Sequence, residues 1–114
     1  MELIDIMNIN CFIINMKKCS SKREKMIERM KDLPEIEYEF FEGVDGQKIT
    51  QEFMDQNNYK LLDSWIEPFH NRKTTKGELG CTLSHYGVYQ KALTMEHDIS
   101  LVLEDDAKLI SKNY

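Results

Sequence analysis

Ile99-Ser-Leu-Val-Leu-Glu-Asp-Asp106 is the stretch that decides the fold of this chain. A short, mostly apolar run from Ile99 to Leu103 passes straight into three carboxylates, with no turn residue between them. A run of that length reads as an apolar strand. The acids then stand at the strand's carboxyl end, where ligands bind in open α/β sheets. Residues i and i+2 of a strand project to the same side, so Glu104 and Asp106 are expected to converge while Asp105 faces elsewhere. Clustered acid favours a hard divalent cation such as Mg²⁺ or Mn²⁺. A solvated acidic turn leading a helix from Ala107 onward is the competing reading, because negative charge suits a helix N-terminus.

The segments before this strand alternate in type. Cys11-Phe-Ile-Ile-Asn-Met16 is a second β-rich apolar run. Ser21 and Glu24 have capping-box spacing, Met26, Ile27, Met30 and Leu33 recur at helical spacing, and Pro34 stops the helix. Glu37-Tyr-Glu-Phe-Phe-Glu42 reads as another strand, closed by Gly43 and the Asp45-Gly46 turn. Thr50 caps a short helix to about Asn58, and Lys60 to Lys76, with Trp65, Pro68 and Phe69, is an irregular connection. Thr75 and Glu78 form a capping box for the best helix, with Leu79, Leu83, Tyr86, Tyr89 or Gln90, and Leu93 as its core-facing stripe. Gly80 early in that helix costs about 1 kcal/mol relative to Ala, which close approach of a ligand or neighbouring backbone would explain. The order β-α-β-(short helices)-α-β predicts a parallel sheet with flanking helices.

The chain has 114 residues and a formal net charge of -5, with 20 acidic against 15 basic residues. That length fits one domain, residues 1–114. The acidity and scattered lysines argue against nucleic acid as a partner. One basic cluster, Lys17, Lys18, Lys22, Arg23 and Lys25, overlaps a helix start and suits an anionic group, although no phosphate-binding glycine loop accompanies it. No apolar run is long enough for a membrane span. Glu2 and Asp5 stand where a signal peptide carries positive charge, so a cytoplasmic protein is expected. Cys11, Cys19 and Cys81 are an odd number with no CxxC among them, which argues against a disulfide framework. Cys81 and His85 share a helix face, but no third orienting group is evident beside them, so all three cysteines are read as reduced and structural.

Taken together, Phe-Ile-Ile-Asn-Met16 with Lys17, Lys18 and Arg23, Val-Asp-Gly46, Lys-Gly-Glu-Leu-Gly-Cys-Thr-Leu-Ser-His85 and Leu-Val-Leu-Glu-Asp-Asp106 resemble glycosyltransferase family 25 in order and spacing. That family includes bacterial lipooligosaccharide galactosyltransferases and procollagen galactosyltransferases. The resemblance runs from about Cys11 to Asp106. It implies a GT-A-like, nucleotide-binding α/β sheet that takes a UDP-sugar and Mn²⁺ (or Mg²⁺). It also implies transfer of a hexose, galactose or glucose, to an acceptor hydroxyl on a glycan or glycoprotein. In that frame Glu104 and Asp106 hold the metal, Asp105 orients the ribose or sugar, and Asn15 and Arg23 lie near the nucleotide. Gly80, Ser84 and His85 line the donor pocket.

The resemblance also implies a domain of roughly twice this length, with the acceptor base beyond the acidic motif. The expectation is therefore an incomplete sheet: the N-terminal donor-binding portion of such an enzyme, truncated or completed by a second chain. A catalytically inactive remnant or a nucleotide-sugar-binding partner is the alternative. A phosphoacceptor signalling domain is a remote one, since its acidic doublet belongs after the first strand and these acids follow the last.

Overall fold

The computed structural model describes residues 8–60, 66 and 68–108. Its elements are β1 (Ile9–Asn15), α1 (Ser20–Met30), β2 (Glu37–Glu42), a 3-10 turn (Gly46–Lys48), α2 (Gln51–Gln56), α3 (Lys76–Leu93) and β3 (Ile99–Glu104). The strands form one parallel sheet in the order β2-β1-β3, with Ile13 of β1 beside Phe40 on one side and Leu103 on the other. This is the expected α/β arrangement, consistent with a GT-A-like domain. Trp65 and any helix beyond Lys108 lie outside the described residues, as does the N-terminal Glu2–Asp5 region.

The central strand carries the core. Cys11, Phe12 and Ile13 are completely buried, and each large apolar side chain contributes about 1.5–3 kcal/mol when removed from water. Alternation along β1 sends Cys11 and Ile13 to one face, where they meet Met26 and Met30 of α1, with Tyr38, Phe40, Leu103 and Ala107 packed around them. Burial pushes the Cys11 thiol up to about 11, so it stays a neutral core group. Phe12 points to the opposite face, under Lys91 of α3.

Two local expectations fail for physical reasons. The helix after β1 is not capped by Ser21. Its N-cap is Cys19, which makes no side-chain capping bond, and Ser21 lies within the first turn. A tight turn, with the Cys19 amide donating to the Met16 carbonyl at 2.9 Å, starts the helix early. The α3 stripe is also displaced. Gly80, Ser84 and Val88 are its buried positions, whereas Tyr86 and Tyr89 are exposed and Leu93 is 87% exposed. Small residues let the helix backbone approach closely. A Cβ on Gly87 would stand 2.8 Å from the Phe41 ring, and one on Gly80 would stand 2.7 Å from the Gly46 nitrogen.

The other caps match their sequence signals. Thr75 and Glu78 form a full capping box at the start of α3, and the Thr50 hydroxyl accepts the Phe53 amide at 3.1 Å. Among the described residues no helix is long and apolar enough to cross a membrane.

Candidate functional site

The chain leaves β1 for β2 on one side and reaches β3 on the other, so the carboxyl ends of β1 and β3 form a topological switch point. Such points open a crevice between diverging loops. A cleft of about 320 Å³ lies there, walled by Ile14, Met16 and Lys18 after β1, by Val44–Gln47 after β2 and by Glu104, Asp105 and Asp106 after β3. The first turns of α3 close it with Gly77, Cys81, Ser84 and His85.

Ser84 connects helix and loop. Its hydroxyl accepts the Val44 amide at 2.8 Å and donates to the Gly80 carbonyl at 2.7 Å, so a buried side chain satisfies two backbone groups. Gly46 sits against the same helix start, where a Cβ would fall 1.8 Å from the Lys76 carbonyl oxygen. The loop thereby delivers Asp45 to the cleft. Asp45 pairs with Lys18 at 2.9 Å and accepts the Gln47 amide at 3.0 Å. The lysine first, then that amide, hold its carboxyl below the usual carboxylate range.

The three acids divide. The strand ends at Glu104 and the chain turns through Asp105 and Asp106, so strand alternation does not extend across the triplet. Glu104 turns toward α3: Oε1 accepts from the Cys81 thiol at 3.4 Å and lies 3.6 Å from His85 Nε2. Burial, then the hydrogen bond and charge of Glu104, raise the Cys81 thiol above its ordinary value. Asp105 turns the other way and accepts from the Asn15 side-chain amide at 2.9 Å. Asp106 lines the cleft.

The expected site residues therefore occupy three positions. Ser84, His85, Glu104, Asp105 and Asp106 meet in the cleft. Asn15 and Gly80 stand behind its wall: Asn15 is buried and braces Asp105, and Gly80 lies against the backbone of Val44 and Gly46. Arg23 does not line the cleft; its guanidinium lies 4.2 Å over the Phe40 ring on the α1 side of the sheet. Of the basic cluster, Lys18 alone lines the cleft.

Cys81 is the residue that sequence reasoning set aside. The third group it lacked is Glu104, 23 positions away and invisible to local spacing. Among the described residues, the ligand atoms of Cys81, His85 and Glu104 all lie within 4.8 Å of one another. The sequence marks Asp45 only as part of a turn, and packing of Gly46 on α3 brings it into the cleft with Gln47.

The family model described as glycosyltransferase family 25 (LPS biosynthesis protein) matches residues 8–114. A glycosyltransferase 25 family member of Drosophila melanogaster is 38% identical over 97 residues, covering 85% of this chain and 16% of that protein. One from Aedes aegypti is 35% identical over the same shares, and procollagen galactosyltransferase 2 of Homo sapiens is 34% identical, over 85% of this chain and 15% of that protein. The chain thus spans 15–16% of the length of these relatives. No solved structure matches the chain significantly. A family match across nearly every residue, joined to relatives sharing more than a third of its aligned positions, makes the chain a member of glycosyltransferase family 25.

Proposed function

We propose that this chain is the donor-binding portion of a glycosyltransferase that moves a hexose from a UDP-sugar to an acceptor hydroxyl. The observation that carries this reading is the cleft at the switch point, where four carboxylates face Lys18 and His85. Three of those carboxylates have protein partners: Asp45 has Lys18, Asp105 has Asn15, and Glu104 has Cys81 and His85. Glu104 and Asp106 add carboxylate oxygens at the same wall, and that donor set fits a hard divalent cation. A Mn²⁺ or Mg²⁺ ion held by them would neutralise the charge developing on the UDP leaving group.

The chain's own residues supply position. Asn15 fixes one oxygen of Asp105, which leaves the other to accept a ribose or sugar hydroxyl. Ser84 anchors Val44 and so sets where Asp45 and Lys18 meet an incoming phosphate or sugar. The acceptor is a glycan or glycoprotein on this reading, in keeping with the procollagen galactosyltransferases among the relatives.

Calorimetric titration with UDP tests the reading. Binding is expected in the presence of Mn²⁺ and should weaken sharply without it, and again in Glu104→Gln and Asp106→Asn. Absence of heat with and without Mn²⁺ would remove the donor-site assignment. A second reading is binding of the nucleotide-sugar without turnover. Binding of UDP-sugar with no release of UDP in the presence of glycan acceptors would select it.

A further inference from the structure

We propose that Cys81, His85 and Glu104 form a site for a borderline transition metal, with Zn²⁺ as its occupant. The site shares Glu104 with the hard-cation reading but takes its other donors, a sulfur and a ring nitrogen, from α3, and its test does not require sugar-nucleotide binding. Cys81 and His85 are one helical turn apart on α3, and Glu104 reaches them from the end of β3. Thiolate, imidazole and carboxylate together are a zinc-type donor set, whereas Mg²⁺ and Mn²⁺ favour oxygen alone.

The spacing fits tetrahedral coordination. With Zn–S of about 2.3 Å and Zn–N or Zn–O of about 2.0–2.2 Å, tetrahedral angles put neighbouring ligand atoms about 3.4–3.6 Å apart. The sulfur–oxygen and nitrogen–oxygen separations here are 3.4 and 3.6 Å. One carboxylate oxygen, Oε1, serves both contacts, and all three ligand atoms lie within 4.8 Å of one another. The remaining ring nitrogen of His85 has a partner as well. The Tyr89 hydroxyl lies 3.5 Å from Nδ1, the kind of outer contact that orients a ligating imidazole. Metal entry breaks the Cys81 S–H bond, the proton passes to solvent, and the sulfur lone pair enters the metal. Three protein ligands leave a fourth position for water or a molecule in the cleft, as in catalytic rather than structural zinc sites.

Cobalt(II) is the probe, titrated into the reduced chain. One equivalent is expected to produce a near-ultraviolet sulfur-to-cobalt charge-transfer band and intense four-coordinate visible bands. Zn²⁺ should abolish both, and excess Mg²⁺ should leave them. Cys81→Ser should erase the sulfur band and weaken Co²⁺ at least ~10-fold, since even outer contacts are worth 10–100-fold in affinity. His85→Gln should weaken Co²⁺ similarly, and Cys19→Ser should change nothing. Cys81 is exposed and His85 partly exposed, and far-ultraviolet circular dichroism verifies that the variants keep the fold. A wild-type chain that binds Co²⁺ with no sulfur band overturns the proposal, as does a band that survives Cys81→Ser. UDP calorimetry on the same proteins separates the two readings: loss of UDP binding with the cobalt band intact removes the donor reading and leaves the metal site standing.

Discussion

The side-chain amide of Asn15 donates to Oδ2 of Asp105 across 2.9 Å, joining the last residue of the central strand to the acidic turn of its neighbour. The same amide donates to the Cys19 carbonyl at 3.0 Å, so one buried residue fixes both the start of α1 and the wall of the cleft. Removing it with Asn15→Ala leaves a part-buried carbonyl and a carboxylate without that donor. A lost buried partner costs about 1–3 kcal/mol. Urea denaturation should show a destabilisation of that size, and UDP titration should show weaker binding. Asn15→Asp should be more harmful at neutral pH than Asn15→Ala, because it sets two carboxylates side by side. Equal midpoints for the two variants at pH 7 would count against this bracing role.

Glycine positions on α3 test close packing against helix propensity. Ala is worth about 1 kcal/mol over Gly inside a helix. At Gly77 an added Cβ would meet the Thr75 hydroxyl no closer than 3.9 Å, so Gly77→Ala should be neutral or stabilising by up to about 1 kcal/mol. At Gly80 the added carbon meets backbone of Gly46 and Val44 at 2.7 and 2.8 Å, where neither atom belongs to a flexible side chain. Gly80→Ala should therefore destabilise by about 1–3 kcal/mol, the usual cost of overpacking. Opposite signs in chemical denaturation are the expected outcome. A stabilised Gly80→Ala would mean that the loop after β2 moves aside without cost.

The capping box should make α3 sensitive to acid. Arg72 first, and then Thr75, hold the Glu78 carboxyl below its usual range. A carboxylate whose folded pKa is depressed adds stability above its unfolded pKa, about 4.3, and loses it as pH falls through the lower folded value. Wild type and Glu78→Gln should accordingly differ most near neutral pH and converge in acid. Thermal midpoints measured from pH 7 down to pH 2.5 check the sign. A gap that widened on acidification would show that the ion pair with Arg72 is not the source.

Much of this fold is legible from local chemistry. Glu37–Glu42 and Ile99–Leu103 declare themselves as strands, and Thr75 with Glu78 marks the start of α3. The failures arise where a distant contact overrides a local pattern. Tyr86, Tyr89 and Leu93 have the right rhythm for a core stripe, but glycines at 80 and 87 bring another face of the helix onto the sheet. Arg23 is near the expected helix start, yet the Phe40 ring on the neighbouring strand attracts its guanidinium. The site follows the same rule. Glu104 could be placed at the strand end from sequence, but its alignment with Cys81 and His85 depends on how α3 crosses the sheet.

Lys18 separates binding from stability. Its ion pair with Asp45 is formed by a lysine whose side chain is 57% exposed, and exposed pairs add little to folding. Lys18→Gln should leave the urea midpoint nearly unchanged. In the cleft, however, the substitution removes a lysine that faces carboxylates and leaves Asp45 without its ion-pair partner. An anionic diphosphate should then bind several-fold more weakly. That loss should shrink as ionic strength rises, because screening weakens the lysine's attraction in the wild type. UDP titrations in low and high salt, run beside denaturation of the same protein, measure both quantities. A large fall in stability with unchanged UDP affinity would make Lys18 a structural residue and remove it from the binding site.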